Sequence, residues 1–152
     1  MPEAVDTSRE DPLIAKSFML DVGGKITGYF TEVSGLGSET EVVEHKVVND
    51  KGVEVVLKIP GRLKWGDITL KRGITTNMDL WDWRKMVEDG DVAGARTNGS
   101  IVMLDQDLAE AARWDFLNAW PSKLTGPAPK ADSNDIGVEE LVLVHEYIVR
   151  KN

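Results

Sequence analysis

Apolar and polar residues alternate along most of this 152-residue chain, in short runs that end at glycine, proline, asparagine or aspartate. Alternation with a period of two is typical of β-strands, because successive side chains point to opposite faces of a sheet. Turn-forming residues between such runs favour hairpins. The pattern predicts seven or eight strands, over residues 14–22, 26–35, 38–48, 53–61, 66–73, 99–104, 113–120 and 136–150.

One segment, at about residues 77–89, has helical periodicity instead. Asn77 is a good N-cap, and Gly90 is placed to end the helix. Between them, apolar residues recur at helical spacing, at Leu80, Trp83, Met86 and Val87. The sequence therefore predicts one helix.

Sequential hairpins with a single helix define the expected architecture. They predict a mainly β fold, an antiparallel β-sandwich or partly rolled β-barrel with one flanking α-helix. The length is that of one ordinary domain. We expect residues 1–12 to form a flexible arm and residues 13–152 to form a single β domain.

The second half of the chain contains two predicted turns and a loop. Asp105-Gln106-Asp107 indicates the turn of a hairpin, and Asn118 to Pro121 is expected to turn the chain out of its strand. Residues 122–134 are predicted to be a loop, because Pro127 and Pro129 cannot donate to a strand ladder.

Charge and cysteine content exclude several classes of function. The net charge is −8, from 26 acidic and 18 basic residues, so direct binding to a nucleic-acid backbone is unfavourable. The chain has no cysteine, which excludes disulfides and thiolate chemistry and suits a reducing compartment. The first residues do not resemble a signal peptide, and no apolar run approaches the roughly 20 residues of a membrane helix. We expect a chain made in the cytoplasm without a membrane segment.

No catalytic, metal or cofactor site emerges from the motifs. His145-Glu146 lacks the second histidine that a zinc protease needs one helical turn later. None of the serines lies in a setting that would activate it as a nucleophile. The sequence predicts a protein that is not an enzyme and needs no cofactor.

Five tryptophans dominate the aromatic content. Large aromatic residues are most often anchors of a core or an interface, and we assign Trp83, Trp114, Phe116 and Trp120 to the core. Trp81 falls on the polar side of the predicted helix and is interpreted as an exposed contact residue. The alternative is a β-sandwich carbohydrate-binding module that uses tryptophans as a sugar platform.

The predicted hairpin at residues 38–58 is long for so small a domain. It could be a solvated hairpin with a frayed tip. Long strand edges are, however, either hidden by a partner or prone to aggregation. We therefore interpret it as an arm that packs on a neighbouring subunit.

Several motifs resemble the tail-tube proteins of contractile phages and of phage-tail-like contractile injection systems. The resemblance spans roughly residues 14–150 and is strongest in LKRG at 70–73, LWDW at 80–83, NAWP at 118–121 and VEELVLVHE at 138–146. It implies a structural subunit that forms hexameric rings, which stack into a hollow tube inside a contractile sheath. The fold would be shared with the type VI secretion tube protein.

The resemblance, taken with the residue patterns, suggests three sets of assembly residues. The hairpin would stack rings through Glu44, Lys46, Val47, Val48, Asn49, Asp50, Lys51 and Glu54. The helix would face the sheath through Trp81, Arg84, Lys85 and Glu88. Arg113 and Asp115 would lie on the lumen wall or on the seam between subunits.

The resemblance also implies partners and a location. The partners would be other copies of the chain, a sheath protein, baseplate or spike and terminator proteins at the tube ends, and a protein or DNA cargo in the lumen. The chain would be made in the bacterial cytoplasm, assembled into a phage tail or injection particle, and in some systems released. Phage tail, bacteriocin and extracellular injection system all stay open.

Overall fold

The computed structural model describes residues 12–24, 26–127 and 137–152. Most of the predicted arm at 1–12, and the predicted loop from residue 128 with Pro129, lie outside the described residues. The described chain contains ten strands: β1 Ser17–Val22, β2 Ile26–Phe30, β3 Glu32–Ser34, β4 Ser38–Val48, β5 Glu54–Trp65, β6 Ile68–Gly73, β7 Thr97–Leu104, β8 Glu110–Thr125, β9 Val138–Val144 and β10 Tyr147–Arg150. The two helices are α1 Asp79–Glu88 and α2 Val92–Ala95.

Eight strands form one antiparallel sheet that rolls back on itself. Its order is β2-β1-β7-β8-β9-β6-β3, and β10 also pairs with β8. The two end strands, β2 and β3, are consecutive in the chain and are separated only by Thr31. The path therefore bends at this corner, and the described strands form a sandwich-like sheet without closing into a barrel. The predicted mainly β class is confirmed.

Strand β8 is longer than the sequence predicts and links the two halves of the sheet. Its first half lies between β7 and β10, whereas its second half pairs with β9. The predicted turn at Asn118–Pro121 is wrong: Asn118 has a φ of 54°, but the strand continues to Thr125. Proline is tolerated there because pairing with β7 ends at Ala119, so one edge of the strand needs no further donor.

The predicted final strand is divided into β9 and β10 at His145 and Glu146. Both parts lie on the same edge of β8, because Val144 pairs with Trp120 and Tyr147 pairs with Leu117. The interruption is thus local and leaves the register intact.

Helix α1 begins one residue later than its predicted N-cap implies. Its N-cap residue is Met78, and Asn77 instead accepts a hydrogen bond from the Asp79 amide through its side chain. The short helix α2 is not predicted by the sequence, because a four-residue helix is too short to have a periodic pattern. The Asp91 side chain caps it at the Gly94 amide, at 2.9 Å. No helix of the described chain is long and apolar enough to cross a membrane.

The core lies between the two halves of the rolled sheet. Alternation determines which residues enter it: on β6, Ile68 and Leu70 are buried while Thr69 and Lys71 are not. Helix α1 packs Leu80 and Trp83 against the same core. The largest fully buried side chains include Leu20, Phe30, Ile101, Phe116, Leu141 and Leu143.

A buried ion pair joins strands β6 and β9. Arg72 Nε donates to Glu139 Oε1 at 2.6 Å, and both side chains are almost completely buried. Trp81 Nε1 donates to the other carboxylate oxygen at 2.9 Å, so the pair also holds helix α1. The guanidinium lies 5.1 Å from the ring centroid of Phe30, and a Cβ on Gly28 would come within 2.8 Å of Arg72 Nη1. Strands β2, β6 and β9 and helix α1 therefore all contact this ion pair.

Arg72→Met should lower the free energy of unfolding by about 3–5 kcal/mol, because it leaves the Glu139 carboxylate buried without a partner. Adding Glu139→Leu should restore part of that loss, since no uncompensated charge remains. Urea titration of the dilute subunit, followed by tryptophan fluorescence, measures both changes.

The matched control is Lys46→Met, which breaks an exposed ion pair with Glu54. It should change the free energy of unfolding by less than about 0.5 kcal/mol. A loss below about 1 kcal/mol for Arg72→Met would contradict the structural role of the pair.

Candidate functional site

The hairpin of β4 and β5 forms a two-stranded sheet of its own. Neither strand packs extensively on another element of the described chain, and most of their residues are exposed. Gly35, in the connection leading into β4, has a φ of 84°, and a Cβ there would collide with the Asp67 carbonyl oxygen. Isolated two-stranded sheets are only marginally stable in water. The hairpin therefore gains little support from the rest of the described chain.

The two faces of the hairpin differ in character. The register shifts once, between Thr40 and Val42, and side chains otherwise alternate between the faces. Distal to this shift, the apolar face carries Val43, His45, Val47, Val55, Leu57 and Ile59. The charged face carries Glu44, Lys46, Glu54 and Lys58, with Val42, Val48 and Val56 between them. Toward the base, Leu63 and Trp65 pair with Thr40 and Ser38, which continue the charged face. Because Val43, Leu57 and Ile59 are about half exposed, the apolar face is an uncovered hydrophobic surface.

The turn of the hairpin is ordered by one side chain. Asn49 Oδ1 accepts hydrogen bonds from the amides of Lys51 and Val53, each at 3.0 Å. Gly52 adopts a φ of 76°, which glycine accommodates without steric cost. The tip is thus a defined turn.

Aromatic contacts fix the base of the hairpin. The Trp65 ring packs against His145 and Tyr147, with centroids 6.0 and 5.3 Å away. His145 Nε2 lies 2.8 Å from the Gly66 carbonyl oxygen. The hairpin is therefore attached to the sheet at β10 and at the connection between β9 and β10, and it projects beyond the sheet.

The predicted ring-stacking residues lie in the distal half of the hairpin. Among them, Val47 belongs to the apolar face and lies opposite Val55, while Lys46 and Glu54 form an exposed ion pair at 3.9 Å. The prediction missed the apolar residues nearer the base, Val43, Leu57 and Ile59. Alternation along β5 from Val55 to Ile59 contains this signal, but the extra residue that β5 carries opposite Glu41 hides which residues of the two strands share a face nearer the base.

The predicted sheath-facing residues on α1 separate into two pairs. Trp81 is partly buried against Glu139, and Arg84 Nη1 donates to the Pro121 carbonyl oxygen at 3.1 Å. The expectation of an exposed Trp81 is therefore corrected, because its indole packs on the sheet. Lys85 and Glu88 are directed to solvent; Lys85 pairs with Asp89 at 3.3 Å.

Arg113 and Asp115 belong to a hydrogen-bonded network on the outer face of β7 and β8. Arg113 donates to Asp115, Glu110 and Ser100 at 3.1, 3.2 and 3.1 Å, and Ser100 donates to Asp115 at 2.7 Å. The hydrogen bond from Ser100, together with Arg113, lowers the pKa of Asp115, and Glu110 and Asp115 raise the pKa of Arg113. The two charges are therefore fixed in position on the surface.

The predicted core anchors differ in depth. Trp83 and Phe116 are buried, and Trp83 Nε1 donates to the Ala95 carbonyl oxygen at 2.7 Å. Trp114 and Trp120 are partly buried and pack against the core. None of the five tryptophans is exposed as a flat platform. The carbohydrate-binding alternative therefore has no supporting geometry.

The described residues contain no grouping of three or more histidine, aspartate or glutamate side chains that could hold a metal ion. The organised surfaces of the described chain are the hairpin, the helix face and the Arg113 network.

Solved structures with similar folds include chains of extracellular contractile injection systems. A chain of the extended sheath–tube complex of an extracellular contractile injection system, PVC, is 27% identical with a TM-score of 0.77, covering 97% of this chain and 99% of that chain. A chain of the PVC sheath/tube terminator is 28% identical with a TM-score of 0.77, covering 94% and 99%. Hcp1 from Flavobacterium johnsoniae, at 18% identity and a TM-score of 0.53, covers 88% and 94% and shares the fold.

No curated protein sequence matches the chain. A sequence model of the family described as T4-like virus tail tube protein gp19 matches residues 15–149, nearly the whole chain. The match spans every strand and helix from β1 to α2 and on to β9, and extends into β10. The chain therefore belongs to the T4-like tail tube protein family and is a structural tube subunit.

Proposed function

We propose that copies of this chain form hexameric rings that stack into a hollow tube within a contractile sheath. The observation that carries the proposal is the uncovered apolar face of the β4–β5 hairpin. A monomer would leave this face in water, whereas a stacked assembly would bury it.

The energetic argument rests on the apolar residues of the hairpin. Burying the exposed half of a valine, leucine or isoleucine side chain contributes about 1 kcal/mol. Val43, Leu57 and Ile59 are each about half exposed and share one face, so their contributions would act together at one contact. Aliphatic residues gathered on one face of a hairpin are typical of an obligate interface between subunits.

The strand edges of the hairpin support the same conclusion. The outer edges of β4 and β5 have no paired strand among the described residues. Their backbone donors and acceptors are available to a neighbouring chain, and an uncontrolled edge of this length would promote aggregation. Closed rings in which each hairpin meets a neighbour would remove these free edges.

The proposed partners follow from the related assemblies. The PVC relatives come from a sheath–tube complex and a sheath/tube terminator, which supports a sheath around this tube and a terminator protein at its end. A baseplate or spike at the other end, and a protein or DNA cargo in the lumen, complete the proposal. The role is mechanical and needs no catalysis. Synthesis in the bacterial cytoplasm would precede assembly into the particle.

Leu57→Glu should prevent rod formation, because it places a charge in the apolar contact, while the subunit still folds. Val56→Glu is the matched control: both residues are 46% exposed, but Val56 lies on the charged face. Negative-stain microscopy and sedimentation at equal concentration measure rods, and circular dichroism checks folding. Normal rods from Leu57→Glu would show that the apolar face does not hold the rings together.

The two exposed residues Lys85 and Glu88 form the proposed sheath contact on α1. Exchanging the two, Lys85→Glu with Glu88→Lys, keeps the net charge of the chain and reverses the local pattern. We expect rods of this variant to form normally and to bind purified sheath protein about tenfold more weakly, because like charges would meet at the contact. Co-sedimentation measures binding, and unchanged sheath binding would exclude this helix face as the contact.

Arg113 and Asp115 are proposed to lie at the lumen wall or the seam between subunits, where a fixed charge pattern matters. The lowered pKa of Asp115 means that its carboxylate stabilises the fold above the ordinary value of 3.8. This stability is lost as the pH falls through 3.8 toward the lower pKa of the folded state, because the unfolded chain binds the proton first.

Asp115→Asn should accordingly be less stable than the wild type at neutral pH, and the difference should shrink as the pH falls below 3.8. Ser100→Ala should produce a smaller change of the same sign, because Asp115 keeps its charge and its hydrogen bond from Arg113. Thermal unfolding across this pH range measures the difference. Parallel curves for wild type and Asp115→Asn at every pH would exclude the stabilising role of the carboxylate.

A further inference from the structure

A second uncovered apolar surface lies on the rolled sheet, away from the hairpin. It is a groove of about 550 Å³ on the outer face of β1, β2 and β7, lined by Ser17, Met19, Tyr29, Val102, Leu104, Leu108 and Glu110. Its floor, Val102 and Leu104, is almost fully buried, whereas Tyr29 and Leu108 on its rim are 60% and 61% exposed. A buried apolar floor between exposed apolar walls is the shape that receives side chains from a partner.

The strand register explains why these residues meet. Met19 pairs with Tyr29 on one side and with Val102 on the other, and Ser17 pairs with Leu104. These pairs all point away from the core, because their neighbours Leu20 and Ile101 point inward. The groove is therefore a rigid part of the sheet.

Leu108 provides an independent indication that the groove is used. It lies in the turn between β7 and β8 with a φ of 60°, a left-handed conformation that glycine or asparagine adopts more easily. A leucine that is both strained and exposed does not stabilise the free subunit. Strain of this kind points to a function for the side chain.

The charge of the groove limits the choice of partner. Its one ionised lining residue, Glu110, is paired with Arg113 at 3.2 Å, so the groove presents a nearly neutral apolar surface. The apolar face of the hairpin has the matching chemistry, because its side chains between Val43 and Val47 and between Val55 and Ile59 are aliphatic apart from His45. The hairpin of the same chain is held elsewhere, since Trp65 anchors it to His145 and Tyr147.

We propose that this groove receives the apolar face of the β4–β5 hairpin from a second copy of the chain. The inference rests on the proposed assembly into tubes and names the surface that each hairpin occupies. It also favours the seam over the lumen wall for Arg113, which borders the groove through its pairing with Val102. Two apolar surfaces that are exposed on the free subunit would thus cover each other.

Cysteine cross-linking tests the contact, because the chain has no cysteine of its own. Protein with Leu108→Cys is mixed with protein carrying Val43→Cys, Leu57→Cys or Ile59→Cys, assembled, and oxidised mildly. A disulfide needs Cα atoms within about 7 Å, so at least one pair should give a linked dimer on a non-reducing gel. Val42→Cys and Val56→Cys, on the charged face, are the matched controls and should give none.

The outcomes separate this inference from the proposed tube. Wild-type rods in the microscope support the tube whatever the cross-links are. Rods without any link from the apolar face to residue 108 would overturn the groove contact and leave the tube standing. Preferred links between two copies of residue 108, or between two copies of residue 57, would show that each surface pairs with itself. A link from residue 108 to Val5→Cys within one chain would show that the N-terminal segment occupies the groove. Any of these results would overturn the groove contact.

Leu108→Gly gives a test that folding cannot confound. Glycine relieves the left-handed backbone, so the melting temperature of the subunit should stay equal or rise. Removing the leucine side chain from the contact should raise the protein concentration needed for rod formation by about tenfold. Rod formation at the wild-type concentration would overturn the inference.

Discussion

The guanidinium of Arg72 and the carboxylate of Glu139 lie in the interior, where neither charge would be tolerated alone. Their pairing constrains the fold because each also holds another element: Glu139 accepts from Trp81 on α1, and Arg72 lies on the Phe30 ring of β2. Glycine is required at position 28, since a Cβ there would come within 2.8 Å of the guanidinium. The helix, the rolled corner and strands β6 and β9 therefore adopt one arrangement together.

Because the rolled sheet is held together in this way, the β4–β5 hairpin can remain uncovered in the free subunit. The core of the rolled sheet is complete without the hairpin, which contributes only Trp65 to the packing at its base. The subunit can therefore fold before it assembles, and its apolar hairpin face stays available for a neighbour. The cost is an exposed hydrophobic surface with free strand edges, which must be covered quickly by the correct partner. Because the chain belongs to a tail tube family, we interpret the exposed surface as a contact for assembly.

Local sequence patterns predicted well which strands and helices form, but predicted poorly where they end. Period-two alternation located the strands, and the glycine-containing loop identified the long hairpin. Pro121 was interpreted as a strand end because proline cannot donate, yet it lies where β8 has lost its neighbour β7 and needs no donor on that side. Trp81 was expected in solvent because it lies opposite the apolar stripe of α1. A buried carboxylate on β9 instead provides a partner for its indole nitrogen.

By itself, the sequence determined the mainly β class, the long hairpin and the resemblance to tail tubes, because these depend on local periodicity and on motifs contiguous in the chain. Only the tertiary structure decided which surfaces remain uncovered. The apolar face of the hairpin is left exposed because no other described element packs extensively on β4 or β5, and the groove beneath Leu108 depends on pairing among strands far apart in sequence. The exposure of a side chain depends on the packing of the whole chain. Apolar residues suited to assembly can therefore be identified only when the structure shows which apolar side chains are buried in the core.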